Sequence, residues 1–268
     1  MQQIKVKLRL FTFLLSTSIG LSQNTSSLDN IKIKSMTNEN DTFENSIYAI
    51  ISLPIKVVDS LENNFEYPAV IHGINGTCFF ITPNKFITAY HVINKFYAEK
   101  QIYFLINKNG DIISGIQIEQ EVPENDLCVG KIESQVDPYY KIPTSSPTLK
   151  QGEIFIAYGF SSNDTQNFNI KIIKENNRVR LIRHDALELK KIEYTFIQQE
   201  MLNDYFSKDE IPINLKKCNV LLFDTSLELG FSGGPTFNKE TSEVVGFASQ
   251  DAFNSGTPLM LIIPLSGN

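Results

Sequence analysis

The feature that most constrains this chain is a glycine-rich turn around a serine at Gly230–Pro235, with the sequence Gly-Phe-Ser-Gly-Gly-Pro. Glycines on both sides of Ser232 allow a tight turn and let backbone N–H groups approach a bound molecule closely. Such turns form oxyanion holes, although glycine-serine turns are also common in ordinary loops. The turn therefore indicates a nucleophilic serine only if a base and an acid accompany it elsewhere in the chain.

Three histidines could supply the base: His72, His91 and His184. His91 follows an apolar, strand-like run that starts at Lys85, whereas His184 lies in a basic segment typical of a solvated hairpin and His72 is typical of a surface position. A half-buried structural histidine is the alternative interpretation of His91. The turn at Ser232 favours the catalytic interpretation, because a serine hydroxyl needs a base at neutral pH.

Asp126 is the candidate acid, at the start of the apolar segment Leu127–Ile132. A carboxylate entering an apolar strand costs desolvation energy unless it is hydrogen-bonded, so a partner such as His91 is expected. A strand-start or turn aspartate is the alternative. Chain order excludes the α/β-hydrolases, which need a histidine after the serine, and the strand-rich region 46–160 argues against the subtilisin fold. The remaining order is histidine, acid, serine, with Ser232 last.

Several segments resemble those of trypsin-like serine peptidases, and the bacterial HtrA/Deg branch is the most similar. The segments are Gly76–Ile93 around the histidine, Asn125–Val129 around the acid, Lys150–Gly159, and Asp224–Ser249 around the serine. The resemblance covers about residues 46–268, with a gap near 161–220. It implies an all-β fold of two six-stranded antiparallel β-barrels, chymotrypsin-like, with the active site in the cleft between them.

The resemblance also assigns catalytic roles. It implies that Ser232 attacks a peptide carbonyl, that His91 takes and returns the proton, and that Asp126 orients His91. The N–H groups of Gly230 and Ser232 are expected to bind the developing oxyanion. Phe231 stands where animal trypsins carry an aspartate, so activation by a freed N-terminus is not expected in this chain.

The same resemblance suggests a substrate-binding surface. Ser226 is expected near the base of the specificity pocket. Three further residues are expected to line the edge along which substrate pairs as a strand: Ser249, Gln250 and Asp251. Asp251 could favour a basic substrate side chain, although an acid at a rim is usually only solvated.

The N-terminus is typical of a secretory signal, because a basic start precedes a short apolar run that is interrupted by Ser16–Ser18. No stable membrane insertion is expected after cleavage, and no PDZ-like domain is expected after the last strand. The predicted organisation is a signal peptide (1–22), a flexible leader or propeptide (23–45), a first barrel with His91 and Asp126 (46–138), a linker (139–149), and a second barrel with Ser232 (150–268). An insertion near 185–217 is expected to have helical character over Ile197–Phe206.

The composition of the chain limits the classes of partner and cofactor that it is expected to bind. The net charge is −6 and no basic stripe is present, so nucleic-acid binding is not expected. No cofactor is expected, and no Cys-x-x-Cys pair or histidine cluster predicts a metal. Three cysteines cannot all pair; Cys78 and Cys128 could form a bridge or stay free, with free thiols favoured, and Cys218 is expected to be unpaired.

Two classes of function remain open. The first is an exported serine endopeptidase, periplasmic or secreted, that acts on protein or peptide substrates. The second is a catalytically silent relative that serves as a binding module. A complete set of His91, Asp126 and Ser232 favours the enzyme, and esterase activity is a minor third option. The sequence does not determine the natural substrate or the oligomeric state.

Overall fold

The computed structural model describes residues 43–55, 66–71, 74–93, 101–137, 139–140, 149–161, 168–175, 178–183, 187–201, 219–223, 225–254 and 257–265. The predicted signal peptide, nearly all of the predicted leader, and His72, His184 and Cys218 lie outside these residues. Within the described residues, no helix is both long enough and apolar enough to cross a bilayer.

The described chain is built almost entirely from strands. They are β1 (Ile47–Pro54), β2 (Glu66–Ile71), β3 (Gly76–Thr82), β4 (Lys85–Ala89), β5 (Gln101–Asn107), β6 (Ile112–Ile113), β7 (Gln117–Val122), β8 (Leu127–Lys131), β9 (Ile154–Phe160), β10 (Phe168–Glu175), β11 (Arg178–Arg183), β12 (Leu189–Met201), β13 (Asn219–Phe223), β14 (Pro235–Asn238), β15 (Val244–Asn254) and β16 (Thr257–Pro264). A short helix, α1 (Tyr90–Ile93), follows β4, and a 3-10 helix (Pro123–Asn125) precedes β8.

The first half forms a curled sheet of seven antiparallel strands in the order β6-β5-β1-β3-β4-β8-β7. Strand β1 lies near its centre, and its first five residues are all buried, as expected for an apolar strand covered on both faces. Aromatic side chains fill the space beside it, with the rings of Tyr48 and Phe80 5.3 Å apart and those of Phe80 and Phe86 5.7 Å apart. Strands β6 and β7 are the two edges of this sheet and do not pair with each other, so the sheet stays open.

The second half forms a closed six-stranded barrel in the order β12-β13-β16-β15-β14-β9. Its core contains edge-to-face and tilted phenylalanine pairs, with the ring of Phe223 5.3 Å from Phe155 and 5.7 Å from Phe196. Tyr140, buried in the connection between the halves, packs its ring against Phe79 of the first sheet at 5.8 Å and Phe237 of the barrel at 5.0 Å. The two halves therefore pack against each other through the ring of Tyr140.

A third, three-stranded sheet joins the halves in the order β11-β10-β2. Strand β2 belongs to the segment between β1 and β3, whereas the β10–β11 hairpin belongs to the segment between β9 and β12. They pair in antiparallel register from Ile71 opposite Phe168 to Glu66 opposite Ile173. Alternation and turn signals predict strands at Asn169–Lys174 and Arg178–Arg183, which agree with the β10–β11 hairpin. Strand β2 was not predicted.

The predicted all-β fold is confirmed, with a six-stranded antiparallel barrel in the second half and an open, seven-stranded sheet in the first. The prediction of helical character from Ile197 is wrong over residues 197–201, since these residues end strand β12. The apolar residues there follow both periods over a short run, and pairing with β13 at Gln199–Leu221 decides between them. The alternation of side chains over Ile112–Gln120 predicts a single strand, and the structure divides this stretch into β6 and β7.

Candidate active site

His91 lies where strand β4 passes directly into helix α1. Strand β4 ends at Ala89 and α1 begins at the next residue. Helix α1 buries Val92 and Ile93, which fixes its orientation and leaves the imidazole of His91 37% exposed. The base candidate is therefore held at a strand–helix junction with its ring partly open to solvent.

Asp126 is positioned by a short turn before strand β8. It follows the 3-10 helix and adopts the left-handed conformation at φ 47°, which is uncommon for a residue other than glycine. Strand β8 pairs with β4, with Leu127 opposite Ala89, and the carbonyl of Asp126 accepts a hydrogen bond from the N–H of Tyr90 at 2.8 Å. The turn therefore places Asp126 beside the start of helix α1, where its side chain faces His91.

The carboxylate of Asp126 is buried and fully engaged. Oδ1 accepts the backbone N–H of His91 at 3.0 Å, and Nδ1 of the His91 ring lies 3.0 Å from Oδ1 and 2.9 Å from Oδ2. Ser249 donates its hydroxyl to Oδ2 at 2.5 Å. Because a carboxylate only accepts hydrogen bonds, Nδ1 carries a proton and the neutral ring keeps its lone pair on Nε2. This is the tautomer that a general base needs.

The hydroxyl of Ser249 makes a contact that the sequence did not suggest. A register shift in the β15–β16 pairing between Ala248 and Gln250 leaves Ser249 out of the ladder. A β-bulge of this kind re-aims a side chain, and here the buried hydroxyl points to Asp126. Residue type alone gives no signal of this contact, since it depends on the bulge. The prediction that the backbone at 249–251 pairs with substrate is untested.

The turn around Ser232 has the geometry that its glycines allow. Gly230 and Gly233 have φ values of 99° and 87°, which side chains other than glycine rarely tolerate. Gly233 donates its N–H to the carbonyl of Ala248 at 2.6 Å, and Gly234 donates to that of Phe231 at 2.8 Å. These bonds attach the turn to strand β15 and leave Ser232 half-buried at its apex.

The serine turn packs against strand β3 and against the junction of β4 and α1, which carries His91. A Cβ on Gly76 would lie 2.7 Å from the carbonyl oxygen of Ser232 and 2.4 Å from Cγ2 of Val92, the neighbour of His91. A Cβ on Gly233 would lie 2.8 Å from the N atom of Ala89. The described residues include no hydrogen bond between Nε2 of His91 and the hydroxyl of Ser232. Such contacts often tighten only when substrate binds.

Two N–H groups of the turn are available for an oxyanion. The amides of Phe231, Gly233 and Gly234 all donate to backbone carbonyls, whereas those of Gly230 and Ser232 have no acceptor among the described residues. These two are the groups that the family resemblance assigns to the oxyanion hole. Free donors on a rigid turn can stabilise negative charge without rearranging during the reaction.

Phe231 anchors the turn in the core of the second barrel. Its side chain is completely buried among the barrel residues, and a Cβ on Gly159 would lie 2.5 Å from Cγ of its ring. Gly159 therefore provides the space that the ring fills. The position that carries an acid in animal trypsins is here an apolar contact, which needs no ionic partner.

The residues predicted to bind substrate lie on two neighbouring segments. Ser226 is exposed and Gln250 is half-buried. The carboxylate of Asp251 accepts a hydrogen bond from the N–H of Leu227, which joins strand β15 to the segment that leads into the serine turn. Burial raises the pKa of Asp251 above its usual value, and the Leu227 hydrogen bond opposes this only in part. Leu229, at the mouth of the turn, is 69% exposed.

The raised pKa of Asp251 predicts a pH-dependent contribution to stability. The folded protein holds this proton more tightly than the unfolded chain does, so this group's contribution to the free energy of unfolding decreases as pH rises from 3.8 through the folded pKa. The variant Asp251→Asn keeps an oxygen acceptor for Leu227 and cannot ionise. We expect the Tm of Asp251→Asn minus the Tm of the wild type to be larger at neutral pH than below pH 3.8. Thermal unfolding across this range checks it, and a Tm difference that does not vary with pH would contradict it.

The cysteines of the first sheet have no catalytic character. Cys78 and Cys128 are free and buried. Burial raises the pKa of Cys128 to about 12 and that of Cys78 well above its usual value, so neither forms a reactive thiolate at neutral pH. Within the described ranges, no group of three or more histidine, cysteine or acidic side chains could hold a metal ion.

Comparison with known proteins agrees with this geometry. Residues 76–247 match the trypsin-like peptidase domain, a span of more than half of the 268 residues. The fold is similar to a serine-to-alanine variant of Rv3671c from M. tuberculosis in its inactive form, with 14% identity, 82% of each chain covered and a TM-score of 0.53. No curated protein matches the sequence.

Two other solved structures are also similar. The MamO protease domain from Magnetospirillum magneticum is 12% identical, with 84% of this chain and 94% of that chain covered and a TM-score of 0.54. Deg5 is 18% identical, with 84% of this chain and 85% of that chain covered and a TM-score of 0.50. At these identities the likenesses show the fold alone, whereas the domain match confirms the predicted resemblance to trypsin-like peptidases. The chain therefore belongs to the trypsin-like peptidase domain family.

Proposed function

We propose that this chain is an exported serine endopeptidase that hydrolyses peptide bonds through an acyl-enzyme on Ser232. The observation that carries the proposal is the contact of both carboxylate oxygens of Asp126 with Nδ1 of His91, beside the packed serine turn. A buried carboxylate in contact with a partly exposed imidazole has a clear use when a nucleophile lies on the open side of the ring. The family makes a peptide the expected substrate.

The proposed reaction uses each group in turn. Nε2 of His91 takes the hydroxyl proton of Ser232 while the serine oxygen attacks the peptide carbonyl. The N–H groups of Gly230 and Ser232 donate hydrogen bonds to the carbonyl oxygen as negative charge forms on it. Loss of one such donor lowers the rate by a factor on the order of 10²–10³. His91 then gives its proton to the leaving amine, and water hydrolyses the acyl-enzyme by the reverse sequence. Throughout, Asp126 stabilises the imidazolium and keeps its orientation.

Export is proposed from the sequence alone. The basic start, the short apolar run and the small residues near Ser22 are typical of a cleaved secretory signal. A periplasmic or secreted location follows from that interpretation. N-terminal sequencing of the exported protein tests it directly, and retention of residues 1–22 would contradict it.

A fluorophosphonate probe separates an active enzyme from a silent binding module. We expect the wild type to be labelled covalently on Ser232, because a serine that is activated by a neighbouring base displaces fluoride from the probe and becomes phosphonylated. The variant Ser232→Ala should remain unlabelled. Ser242, an exposed serine in the turn between β14 and β15, provides the matched control, and Ser242→Ala should label like the wild type.

The result depends on the fold being intact, so each protein is first compared by circular dichroism and thermal unfolding. Absence of labelling in a folded and processed wild type would overturn the proposal and favour the silent binding module. Equal labelling of wild type and Ser232→Ala would show that the reactive group lies elsewhere.

A further inference from the structure

We infer that Thr77 is a positioning residue that holds the oxyanion turn in its active shape. The inference rests on the proposed function of the Ser232 turn. Thr77 lies on strand β3 of the first sheet, 153 residues before Gly230, and is completely buried. Thr77 is not the candidate base, acid or nucleophile, but it hydrogen-bonds to two carbonyl groups of the serine turn, those of Gly230 and Ser232.

Thr77 binds the turn at two points. Its backbone N–H donates to the carbonyl of Ser232 at 2.8 Å, and its hydroxyl donates to the carbonyl of Gly230 at 2.7 Å. Because a peptide unit is planar, holding its carbonyl oxygen fixes the plane of that unit. The units on both sides of Phe231 and Ser232 are thereby fixed from one residue.

The direction of the hydroxyl hydrogen bond is determined by a second strand. The N–H of Phe160, at the end of β9, donates to Oγ1 of Thr77 at 3.0 Å. A hydroxyl has one proton and can accept as well as donate. Since Oγ1 already accepts from Phe160, its own proton is directed to the carbonyl of Gly230. Thr77 therefore connects the first sheet with the second barrel directly beneath the turn.

This arrangement explains how the two free donors are kept available. Thr77 holds the peptide units 230–231 and 232–233. These two units flank the 231–232 unit, which carries the N–H of Ser232, and the first of them adjoins the 229–230 unit, which carries the N–H of Gly230. Gly230 has no side chain to limit its backbone dihedral angles, so the units around it need an external restraint if both N–H groups are to keep their direction. Both Thr77 and Gly230 are buried, and a water molecule cannot simply replace the lost hydroxyl.

The test compares three variants with the wild type on one peptide substrate. Thr77→Val keeps the shape and removes the hydroxyl, and Thr77→Ser keeps the hydroxyl. Thr88→Val is the matched control, because the buried Thr88 hydroxyl also donates to Thr77, at 2.8 Å to its carbonyl, and makes no hydrogen bond to the turn.

We expect Thr77→Val to lower kcat by about 10- to 100-fold with KM within about threefold, since a displaced oxyanion donor affects the transition state more than the bound substrate. Thr77→Ser and Thr88→Val should stay within about threefold of the wild-type kcat. A Thr77→Val enzyme with the wild-type kcat, or Thr77→Ser as impaired as Thr77→Val, would overturn the inference. An equal loss of kcat in Thr88→Val would also overturn it, because the effect would then be a general loss of core hydrogen bonding.

Amide hydrogen exchange gives a readout that does not need activity. In Thr77→Val, a peptide covering residues 228–235 should exchange faster than in the wild type, whereas one covering strand β1 should not change. This comparison also decides the case if the wild type proves silent toward the fluorophosphonate probe, which would remove the proposed function but not the structural restraint. Unchanged exchange in the turn would overturn the inference. If Thr77→Val does not fold, hydrogen exchange and kcat are measured instead in Thr77→Ser and in the more conservative Thr77→Cys. A thiol donates only a weak hydrogen bond, so Thr77→Cys should show an intermediate loss of kcat. A wild-type kcat in Thr77→Cys would overturn the inference.

Discussion

Replacement of His91 by alanine is expected to lower the kcat for peptide hydrolysis by about 10⁶-fold, as occurs when the serine or the histidine of a serine-hydrolase triad is removed. Without the imidazole, the hydroxyl of Ser232 has no base, and the leaving amine has no proton donor. The oxyanion donors of the turn would remain, so the residual rate should still exceed the uncatalysed rate by about 10³–10⁴. Single-turnover and steady-state assays on one peptide measure both limits.

We expect His91→Ala to lose activity because a catalytic group is missing and not because the protein unfolds. The imidazole is 37% exposed, and helix α1 is anchored by the buried Val92 and Ile93, so the fold should tolerate the change. The double variant His91→Ala with Ser232→Ala should be no slower than either single variant, because residues that act as a unit are not additive. Multiplied losses in the double variant, or retention of more than about 1% of the activity in His91→Ala, would contradict the assigned roles.

The sequence predicted the catalytic candidates because their residue types are chemically scarce. The chain has three histidines, and only His91 ends an apolar strand before a candidate acid in the required order. The glycines around Ser232 mark a turn whose positive φ values few other residues adopt. These signals are local, so a single sequence suffices to find them.

The residues that support the candidates could not be predicted in the same way. Ser249 reaches Asp126 only because a bulge removes it from the strand ladder, and Thr77 reaches Gly230 only because two distant strands meet. Serine and threonine occur throughout the chain, and nothing in their local pattern marks these two. Their roles depend on contacts between residues more than 100 positions apart.

The fold shows the same division between local and distant signals. Alternation and flanking turns predict strands at Lys85–Ala89 and Pro235–Asn238, and β4 and β14 begin and end at these residues. Strand β2 was not predicted because its pairing partner β10 lies about 100 residues away and its short apolar run lacks a neighbouring hairpin partner. Strand β12 was not predicted at all, because its residues lie in the stretch 185–217 that was expected to be an insertion. Over its last residues, a short apolar run fits a helix and a strand equally well.

Exchange of Asp126 for asparagine is expected to lower kcat by about 10⁴-fold while leaving the backbone in place. The reason follows from the hydrogen bonds around the carboxylate. Oδ1 accepts the backbone N–H of His91, so an asparagine must put its carbonyl oxygen there and its NH₂ group at the position of Oδ2. The hydroxyl of Ser249 can rotate to accept from that NH₂ group.

The NH₂ group would then lie about 2.9 Å from Nδ1 of His91, where it donates and does not accept. Nδ1 must in turn accept, which moves the ring proton to Nε2 and removes the base that faces Ser232. Asp126→Ala, which imposes no tautomer, should therefore be no worse than Asp126→Asn despite losing every hydrogen bond of the side chain. Asp111→Asn, at a hydrogen-bond partner of Asn107 in the turn between β5 and β6, controls for the loss of one negative charge. Wild-type kcat in Asp126→Asn would mean that the carboxylate does not set the tautomer, and nitrogen-15 shifts of the His91 ring would report directly which nitrogen carries the proton.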